Sequence, residues 1–219
     1  SGRNVEGQLG IGNTSVQAQP VQVGVTADHT NVEVGASYAC AVRSSRLFCW
    51  GQNTYGQLGN GSMNQVRSRP EPIASAASWT ATAGGLAHTC GIRQGELWCW
   101  GARSTGQVGD GSNSGAAQTP VRIGTATNWT HISAGNFHTC GIAGGELYCW
   151  GAGSNGQLGQ GSAVNFLAPQ RVGTFSDWDS VALGAVHTCG LRAGELYCWG
   201  GNGSGQLGTG NTSSVNVPT

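Results

Sequence analysis

Cysteine is the residue type in this sequence whose number and spacing indicate a specific chemistry. The eight cysteines fall into four pairs with eight residues between the two members of each pair. Thiols at such a spacing can form a disulfide or bind a metal ion, and the local structure between them decides which. The pairs are Cys40 and Cys49, Cys90 and Cys99, Cys140 and Cys149, and Cys189 and Cys198.

The segment between the two cysteines of each pair has the pattern of a β-hairpin. Between Cys90 and Cys99, the dipeptide Gln94-Gly95 separates two short runs that contain apolar residues, which favours a two-residue turn. Centring the turn there places Cys90 opposite Cys99 on a non-hydrogen-bonded rung, where two side chains lie close enough to bond. The equivalent turns are Ser44-Ser45, Gly144-Gly145 and Ala193-Gly194. We therefore predict four cross-strand disulfides, each closing a loop of roughly ten residues and stabilising the fold by about 2–3 kcal/mol.

A structural zinc site is the competing interpretation of the cysteines. His88 would share one strand face with Cys90 and Cys99, and histidine and thiolate are both zinc ligands. The first copy has Tyr38 in place of that histidine, and no fourth ligand recurs, whereas a closed zinc site uses four. The pattern therefore favours disulfides, with no metal and no other cofactor.

Other recurring residues also have a chemical and a structural interpretation. Trp50, Trp100, Trp150 and Trp199 could stack on sugars, but their fixed place beside the cysteines favours core packing. The histidines that begin three of the copies have no recurring carboxylate or nucleophile beside them, which favours buried hydrogen bonding. The glycine loop at 106–111 precedes no helix, so it is not a phosphate-binding loop. A hydrolase using His131 and Asp110 is the remaining enzyme hypothesis, and we expect no enzymatic activity.

Composition excludes two classes of partner. Only 9% of the residues are charged, the formal net charge is zero, and no basic run occurs, so nucleic-acid binding is not expected. No stretch approaches eighteen consecutive apolar residues, so no membrane span is expected. Paired cysteines indicate an oxidising compartment, and we expect a secreted or cell-surface protein.

The cysteine pairs also mark a repeat of about 50 residues. The first cysteines are 50, 50 and 49 residues apart, a period typical of stacked supersecondary units. Each period contains four short strand patterns separated by glycine-rich turns and no helical pattern, which describes a propeller blade. We predict an all-β propeller of four-stranded antiparallel blades in a single repeat domain over 1–219. It comprises a partial blade at 1–35 and blades that begin near 36, 86, 136 and 185, the last one incomplete.

The repeat resembles that of the regulator of chromosome condensation family. The pattern His-Thr-x-Gly-Ile/Leu, Gly-Glu-Leu-Tyr-x-Trp-Gly and Gly-Gln-Leu-Gly-x-Gly runs through His88–Gly111, His138–Gly161 and His187–Gly210, and more weakly through Tyr38–Gly61. The resemblance implies a propeller, typically with seven blades. The eukaryotic founder is a nuclear exchange factor for a small GTPase that also binds chromatin, whereas this chain is more similar to secreted bacterial members.

The two ends of the sequence are copies of the same part of the repeat, which is compatible with several modes of assembly. Residues 2–20 recur as 200–218, so the chain holds four periods and a duplicated segment. It could be a piece of a larger ring, a closed ring with spare ends, or a unit that continues into a neighbouring chain. We expect the open edge of the last blade to be filled by Val21–Val34 of the same chain or of another chain.

The expected function is recognition of a protein partner, or assembly, through propeller loops. The loops at 63–71, 113–119 and 163–168 differ most between copies and are the predicted contact regions. A carbohydrate-binding lectin that uses exposed aromatic residues and a secreted inhibitor of an enzyme are the alternatives. The candidate contact residues are Met63, Arg67, Arg69, Asn113, Asn165, Phe166 and Tyr55.

Overall fold

The computed structural model describes residues 1–73 and 77–219, and regular structure within them is entirely β. Among these residues, no helix has the length and apolar character that a membrane span requires. The all-β prediction is confirmed. The strands are β1 His29–Val34, β2 Tyr38–Arg43, β3 Arg46–Gln52, β4 Val66–Pro72, β5 Trp79–Gly84, β6 His88–Arg93, β7 Glu96–Ala102, β8 Ala116–Arg122, β9 Trp129–Ala134, β10 His138–Ala143, β11 Glu146–Gly151, β12 Phe166–Arg171, β13 Trp178–Leu183, β14 His187–Arg192 and β15 Glu195–Gly200.

The strands form four antiparallel sheets in chain order, which we call sheets I to IV. Sheets I to III each contain four consecutive strands, and sheet IV contains β13, β14 and β15. The predicted blade starts near 36, 86, 136 and 185 fall just before the second strand of each sheet.

The open edge of sheet IV is bordered by the last residues of the chain. Cys198 N donates to Thr219 O at 3.0 Å, and Gly200 pairs with Val215 in a single bridge. The expectation that Val21–Val34 of the same chain fills this edge is wrong. Residues 29–34 are the first strand of sheet I and pair with β2, because their own repeat provides a nearer partner.

The central hairpin of each sheet has the predicted register and the predicted disulfide. Cys90 lies opposite Cys99 with Cα atoms 4.0 Å apart, and the same pairing occurs in the other three sheets. Both turn residues have positive φ, 54° at Gln94 and 76° at Gly95, as a type I′ turn requires. All eight cysteines are disulfide-bonded, so none can supply a thiolate to zinc.

Consecutive sheets pack face to face through two different surfaces. One face carries the disulfide with apolar residues such as Ile92 and Leu97, and it packs against the tryptophan-bearing face of the next sheet. On this tryptophan-bearing face, the ring of Trp79 from the first strand covers Gly91, and a Cβ on Gly91 would lie 2.8 Å from that ring. A bulge between Trp79 and Ala81 turns the indole onto this face.

A glutamine carbonyl joins each sheet to the next. Gln57 O, in the loop after β3, accepts hydrogen bonds from Trp100 Nε1 at 2.9 Å and Thr89 Oγ1 at 2.7 Å. Gln107 O accepts the equivalent pair from sheet III, and Gln157 O accepts it from sheet IV. These donors are buried, so each junction satisfies polar groups that would otherwise be costly to remove from water. The prediction that the recurrent tryptophans pack in the core is confirmed.

The recurrent histidines form a second set of links between sheets. His88 Nε2 lies 2.9 Å from Thr139 Oγ1, and His138 Nε2 lies 3.1 Å from Thr188 Oγ1. Because each threonine hydroxyl already donates its proton to a glutamine carbonyl, the histidine Nε2 must donate. Burial lowers the pKa of His88 to about 4. Burial, with smaller effects from His88 and His187, lowers the pKa of His138 to about 3.

These pKa values predict a loss of stability in mild acid. A histidine with a lowered pKa in the folded state contributes its full stability above the unfolded pKa of about 6.5 and loses it as the pH falls toward the folded value. We expect the free energy of unfolding in urea to be lower at pH 5.0 than at pH 7.5 by on the order of 1–2 kcal/mol for each of these two histidines. Equal values at the two pH conditions would contradict the assignment.

A tyrosine in place of His88 provides the matched control, because sheet I has Tyr38 at the equivalent position. The hydroxyl of Tyr38 lies 3.0 Å from Thr89 Oγ1, and its ring lies against Gly35 as the His88 ring lies against Gly85. We expect His88→Tyr to remain folded at pH 7.5 and to show a smaller loss of stability on acidification than the parent chain.

The glycine that ends each Gly-Gln-Leu/Val-Gly loop provides a test of the tryptophan junction. A Cβ on Gly109, which has φ +85°, would lie 2.6 Å from Trp150 Nε1. Gly208 has a similar φ of +70° and nothing within 4 Å of such a Cβ. Urea unfolding should show that Gly208→Ala costs about 1–2 kcal/mol through backbone strain alone. Gly109→Ala should cost on the order of 3 kcal/mol or more because the indole must also move. Equal losses of unfolding free energy in the two variants would show that the close approach of Gly109 to the Trp150 indole does not contribute.

Candidate functional site

Each sheet has two ends that differ in the kind of loop they carry. We call the end with the type I′ turns the hairpin end. The opposite end, called the loop end, carries the turns at 35–37, 85–87, 135–137 and 184–186 and the long connections at 53–65, 103–115 and 152–165. The predicted contact regions lie at the loop end or in the outer strands that follow it.

A buried asparagine organises the loop that follows β3. Asn53 is fully buried; its Nδ2 donates to Ser62 O at 2.9 Å, and its Oδ1 accepts from Leu58 N at 3.0 Å. Asn4 and Asn202 make the equivalent contacts in their own loops. Sequence reasoning missed this clasp, although the recurrence of asparagine three residues before the loop glycine could have indicated it.

The second loop replaces the asparagine clasp with an ion pair. Arg103 Nη2 lies 2.5 Å from Asp110 Oδ2, and both side chains are largely buried. His131, the other member of the enzyme hypothesis, lies in β9, and its Nε2 contacts Val181 O at 3.0 Å. Each group therefore contacts a structural partner. Among the described residues, no three His, Cys, Asp or Glu side chains cluster in a way that could hold a metal ion.

Several large apolar side chains are exposed at the loop end. Tyr55 is 52% exposed, Val164 51%, Val66 43% and Phe137 39%. Tyr55 and Val66 belong to sheet I or its loop, and Phe137 and Val164 belong to the loops of sheet III, so these side chains do not all lie on one sheet.

The other predicted contact residues lie in the long connections of the loop end or in the outer strand β4. Asn113 is exposed, Met63 is half-buried, and Asn165 is exposed while its Oδ1 accepts from Gly153 N at 2.9 Å. Arg67 forms an ion pair with Glu71 at 2.7 Å. Arg69 is exposed beside Gly12.

The two aromatic residues of the lectin hypothesis have different environments. Tyr55 is on the loop of sheet I, whereas Phe166 begins β12 in sheet III and packs partly against the core. The two residues thus belong to different sheets, which are separated by sheet II in chain order.

The hairpin end has a feature that sequence reasoning did not single out. Arg43, Arg93 and Arg192 each end the second strand of a sheet and stack on aromatic rings. Sheet III has Ala143 at this position. A cleft of about 330 Å³ lies there, lined by residues that include Trp129, Tyr148 and Glu146. The hydrogen bond from Tyr148 to Glu146 raises the pKa of the phenol, so this hydroxyl remains a donor at neutral pH.

Structural comparisons show the fold that this chain shares with known proteins. Human WBSCR16 matches with a TM-score of 0.86 and 21% identity over 99% of this chain and 60% of its own. Yeast RCC1 (Prp20), solved bound to Kap60, matches with a TM-score of 0.82 and 22% identity over 93% of this chain and 51% of its own. Prp20p from Saccharomyces cerevisiae, described with its binding to Gsp1p and histones, gives a TM-score of 0.81 and 22% identity over 93% of this chain and 53% of its own. The chain thus spans about half to three-fifths of the length of these three structures.

The sequence comparison covers most of the chain. The regulator of chromosome condensation (RCC1) repeat matches residues 44–92, 94–142, 144–191 and 193–219, and a second description of the same repeat matches residues 129–157. These matches include all four central hairpins in whole or part. The chain belongs to the regulator of chromosome condensation (RCC1) repeat family.

Proposed function

We propose that this chain is a non-enzymatic, extracellular protein-recognition module that binds its partner through the loop end of the propeller. The observation that carries the proposal is the contrast between the loops and their support. The same buried asparagine contacts hold the loop bases at Asn4, Asn53 and Asn202, and the Arg103–Asp110 ion pair holds the base of the loop at 103–115, while the exposed residues of these loops differ from copy to copy. A rigid scaffold that presents variable loops is a common basis for recognition.

The exposed side chains at the loop end suit a protein surface. Tyr55, Val66 and Val164 offer apolar contact area among mostly polar neighbours, and Tyr55 adds a hydroxyl that can donate or accept. Apolar groups bordered by polar residues are typical of protein contacts. Structural relatives are described with protein partners, which supports the same class of function here.

The disulfides support an oxidising location. Three of the four lie in the packed interior, and the chain has no cysteine left for redox or metal chemistry. Reducing compartments keep thiols apart, so an array with one disulfide in each sheet suits a secreted or cell-surface protein.

The end sheets favour assembly as a second candidate function. The tryptophan-side face of sheet I exposes Val32 at 63% and Val34 at 70%, and the disulfide-side face of sheet IV exposes Leu196 at 70% and Leu191 at 38%. Equivalent faces are buried at the three junctions between sheets. Contact with a further sheet, in this or another chain, would cover these side chains.

The loop-end proposal predicts a surface-specific loss of binding. We expect the immobilised chain to bind, in a saturable manner, a protein from the extracellular fraction of its source. Once that protein is purified, a variant carrying Tyr55→Ala, Val66→Ser and Val164→Ser should bind it with at least tenfold lower affinity. The variant should stay folded and lose little thermal stability, because each of these residues is about half exposed. A matched hairpin-end variant, Arg46→Ser, should bind as the parent does.

Each alternative gives a different outcome in the same set of measurements. Equal binding by the parent and the loop-end variant would contradict the proposed surface. Selective glycan-array binding abolished by Tyr55→Ala would favour a lectin, and turnover abolished by His131→Ala would favour an enzyme. A captured partner that is itself an enzyme, and loses activity on binding, would identify the chain as an inhibitor. Light scattering of the purified chain tests assembly, since a stable monomer excludes self-association through the end sheets.

A further inference from the structure

The four sheets differ at the residue that ends their second strand. Sheets I, II and IV have Arg43, Arg93 and Arg192 there, whereas sheet III has Ala143. The cross-strand neighbour of Ala143 is Glu146, as Glu96 is the neighbour of Arg93. Sheet III therefore keeps the surroundings of the arginine and lacks its side chain.

Sheet II shows what the arginine contacts. The Arg93 guanidinium carbon lies 4.3 Å from the centroid of the Trp98 ring and 5.8 Å from that of Trp79. Arg93 Nη2 lies 3.9 Å from Glu96 Oε2. The guanidinium is thus held by two aromatic faces and one carboxylate, which is a typical environment for a cation–π contact.

The arginines of the other two sheets have similar surroundings. Arg192 lies 3.5 Å from the Phe175 centroid, and its Nε lies 3.1 Å from Asp177 Oδ1. Arg43 lies 4.4 Å from the Phe48 centroid and 3.9 Å from Asp28 Oδ1. Each guanidinium has a ring on one side and a carboxylate nearby, although the residues that supply them vary.

Sheet III has the same aromatic and acidic groups around an open cleft. The rings of Trp129 and Tyr148 lie 5.6 Å apart between centroids at 58°, and Glu146 borders the same space. Ala143 is only 6% exposed and forms part of the cleft wall. The cleft measures about 330 Å³, which is ample for a guanidinium and the stem of its side chain.

Glu146 can accept a further cation although it already has a partner. Its Oε1 lies 2.9 Å from Arg171 Nη2, and its Oε2 accepts from the Tyr148 hydroxyl at 2.5 Å. Glu96 has the matching contacts, with Arg122 at 3.1 Å and Trp98 Nε1 at 3.2 Å, and still lies within ion-pair distance of Arg93. A carboxylate in this arrangement therefore accommodates two guanidinium groups in sheet II.

We propose that the cleft beside Ala143 binds an arginine side chain of a partner protein, in the place that Arg93 fills in sheet II. The proposal rests on the proposed role of the chain in protein recognition and adds a contact at the end opposite the variable loops. A guanidinium suits the cleft better than an ammonium group because it is planar, stacks on rings and is more weakly hydrated.

The first test uses the blocked amino acid Nα-acetyl-arginine amide as the probe, titrated into the intact chain. We expect a saturable shift of the Trp129 indole Nε1–H resonance in two-dimensional ¹H–¹⁵N NMR spectra. The citrulline analogue, which has the same shape and no charge, should bind at least tenfold more weakly, and the lysine analogue should also bind more weakly. Equal shifts with the citrulline analogue would overturn the proposal.

Two reciprocal variants provide the control. Ala143→Arg should fill the cleft from within, as Arg93 does in sheet II, and should reduce probe binding at least tenfold while the chain stays folded. Arg93→Ala should open a second site, detected as a new saturable shift of the Trp98 indole Nε1–H resonance. Unchanged binding by Ala143→Arg, or no new site in folded Arg93→Ala, would contradict the assignment.

A comparison of probes distinguishes a protein ligand from a free metabolite. The peptide Gly-Gly-Arg-Gly-Gly should bind at least as tightly as Nα-acetyl-arginine amide, because the open cleft leaves the backbone of the ligand outside. Free arginine binding tenfold tighter than the peptide would overturn the protein-partner assignment. These measurements use no natural partner and no loop-end variant. A negative result would therefore contradict the arginine site alone, and the loop-end proposal is tested by its own binding experiment.

Discussion

The structure depends on one backbone carbonyl in each repeat, that of the glutamine in the Gly-Gln-Leu/Val-Gly loop. At Gln57, Gln107 and Gln157 this oxygen accepts an indole N–H and a threonine hydroxyl from the following sheet. An acceptor buried in this way must be satisfied, so the distance between loop and tryptophan is fixed. The period of about 50 residues follows, because an insertion in either element would separate the donors from the oxygen.

The covalent and non-covalent links have different roles in this arrangement. Each disulfide joins two neighbouring strands of one hairpin and closes a short loop, so it stiffens a sheet without connecting it to another. The junctions between sheets consist of tryptophan packing, the glutamine carbonyl and the histidine–threonine contacts. The interior hairpins are consequently buried on both faces, while the end sheets expose apolar residues such as Val34 and Leu196.

The parts of the fold that arise from local geometry could be predicted from the sequence. The turn at Gln94-Gly95 determines the register of its hairpin, and the register determines the pairing of Cys90 with Cys99. Contacts between distant segments were harder to predict. The indole that covers Gly91 comes from Trp79 across a bulge, and the segment at 29–34 pairs with β2, to which a three-residue turn joins it. The cleft beside Ala143 lies where this copy of the repeat lacks the arginine of the other copies. It could be recognised as a possible binding site only after the contacts of Arg93 were known.

Hydrogen exchange at the tryptophan indoles tests the central claim most directly, namely that the glutamine junctions hold the sheets together as one cooperative unit. The account predicts that the Nε1 protons of Trp100, Trp150 and Trp199, which donate to these carbonyls, exchange as slowly as the most protected amides of the central hairpins. Both sets of protons would then require the same cooperative opening. Exchange of these indole protons within minutes, while the hairpin amides stay protected, would show that the junctions open independently and would contradict the account.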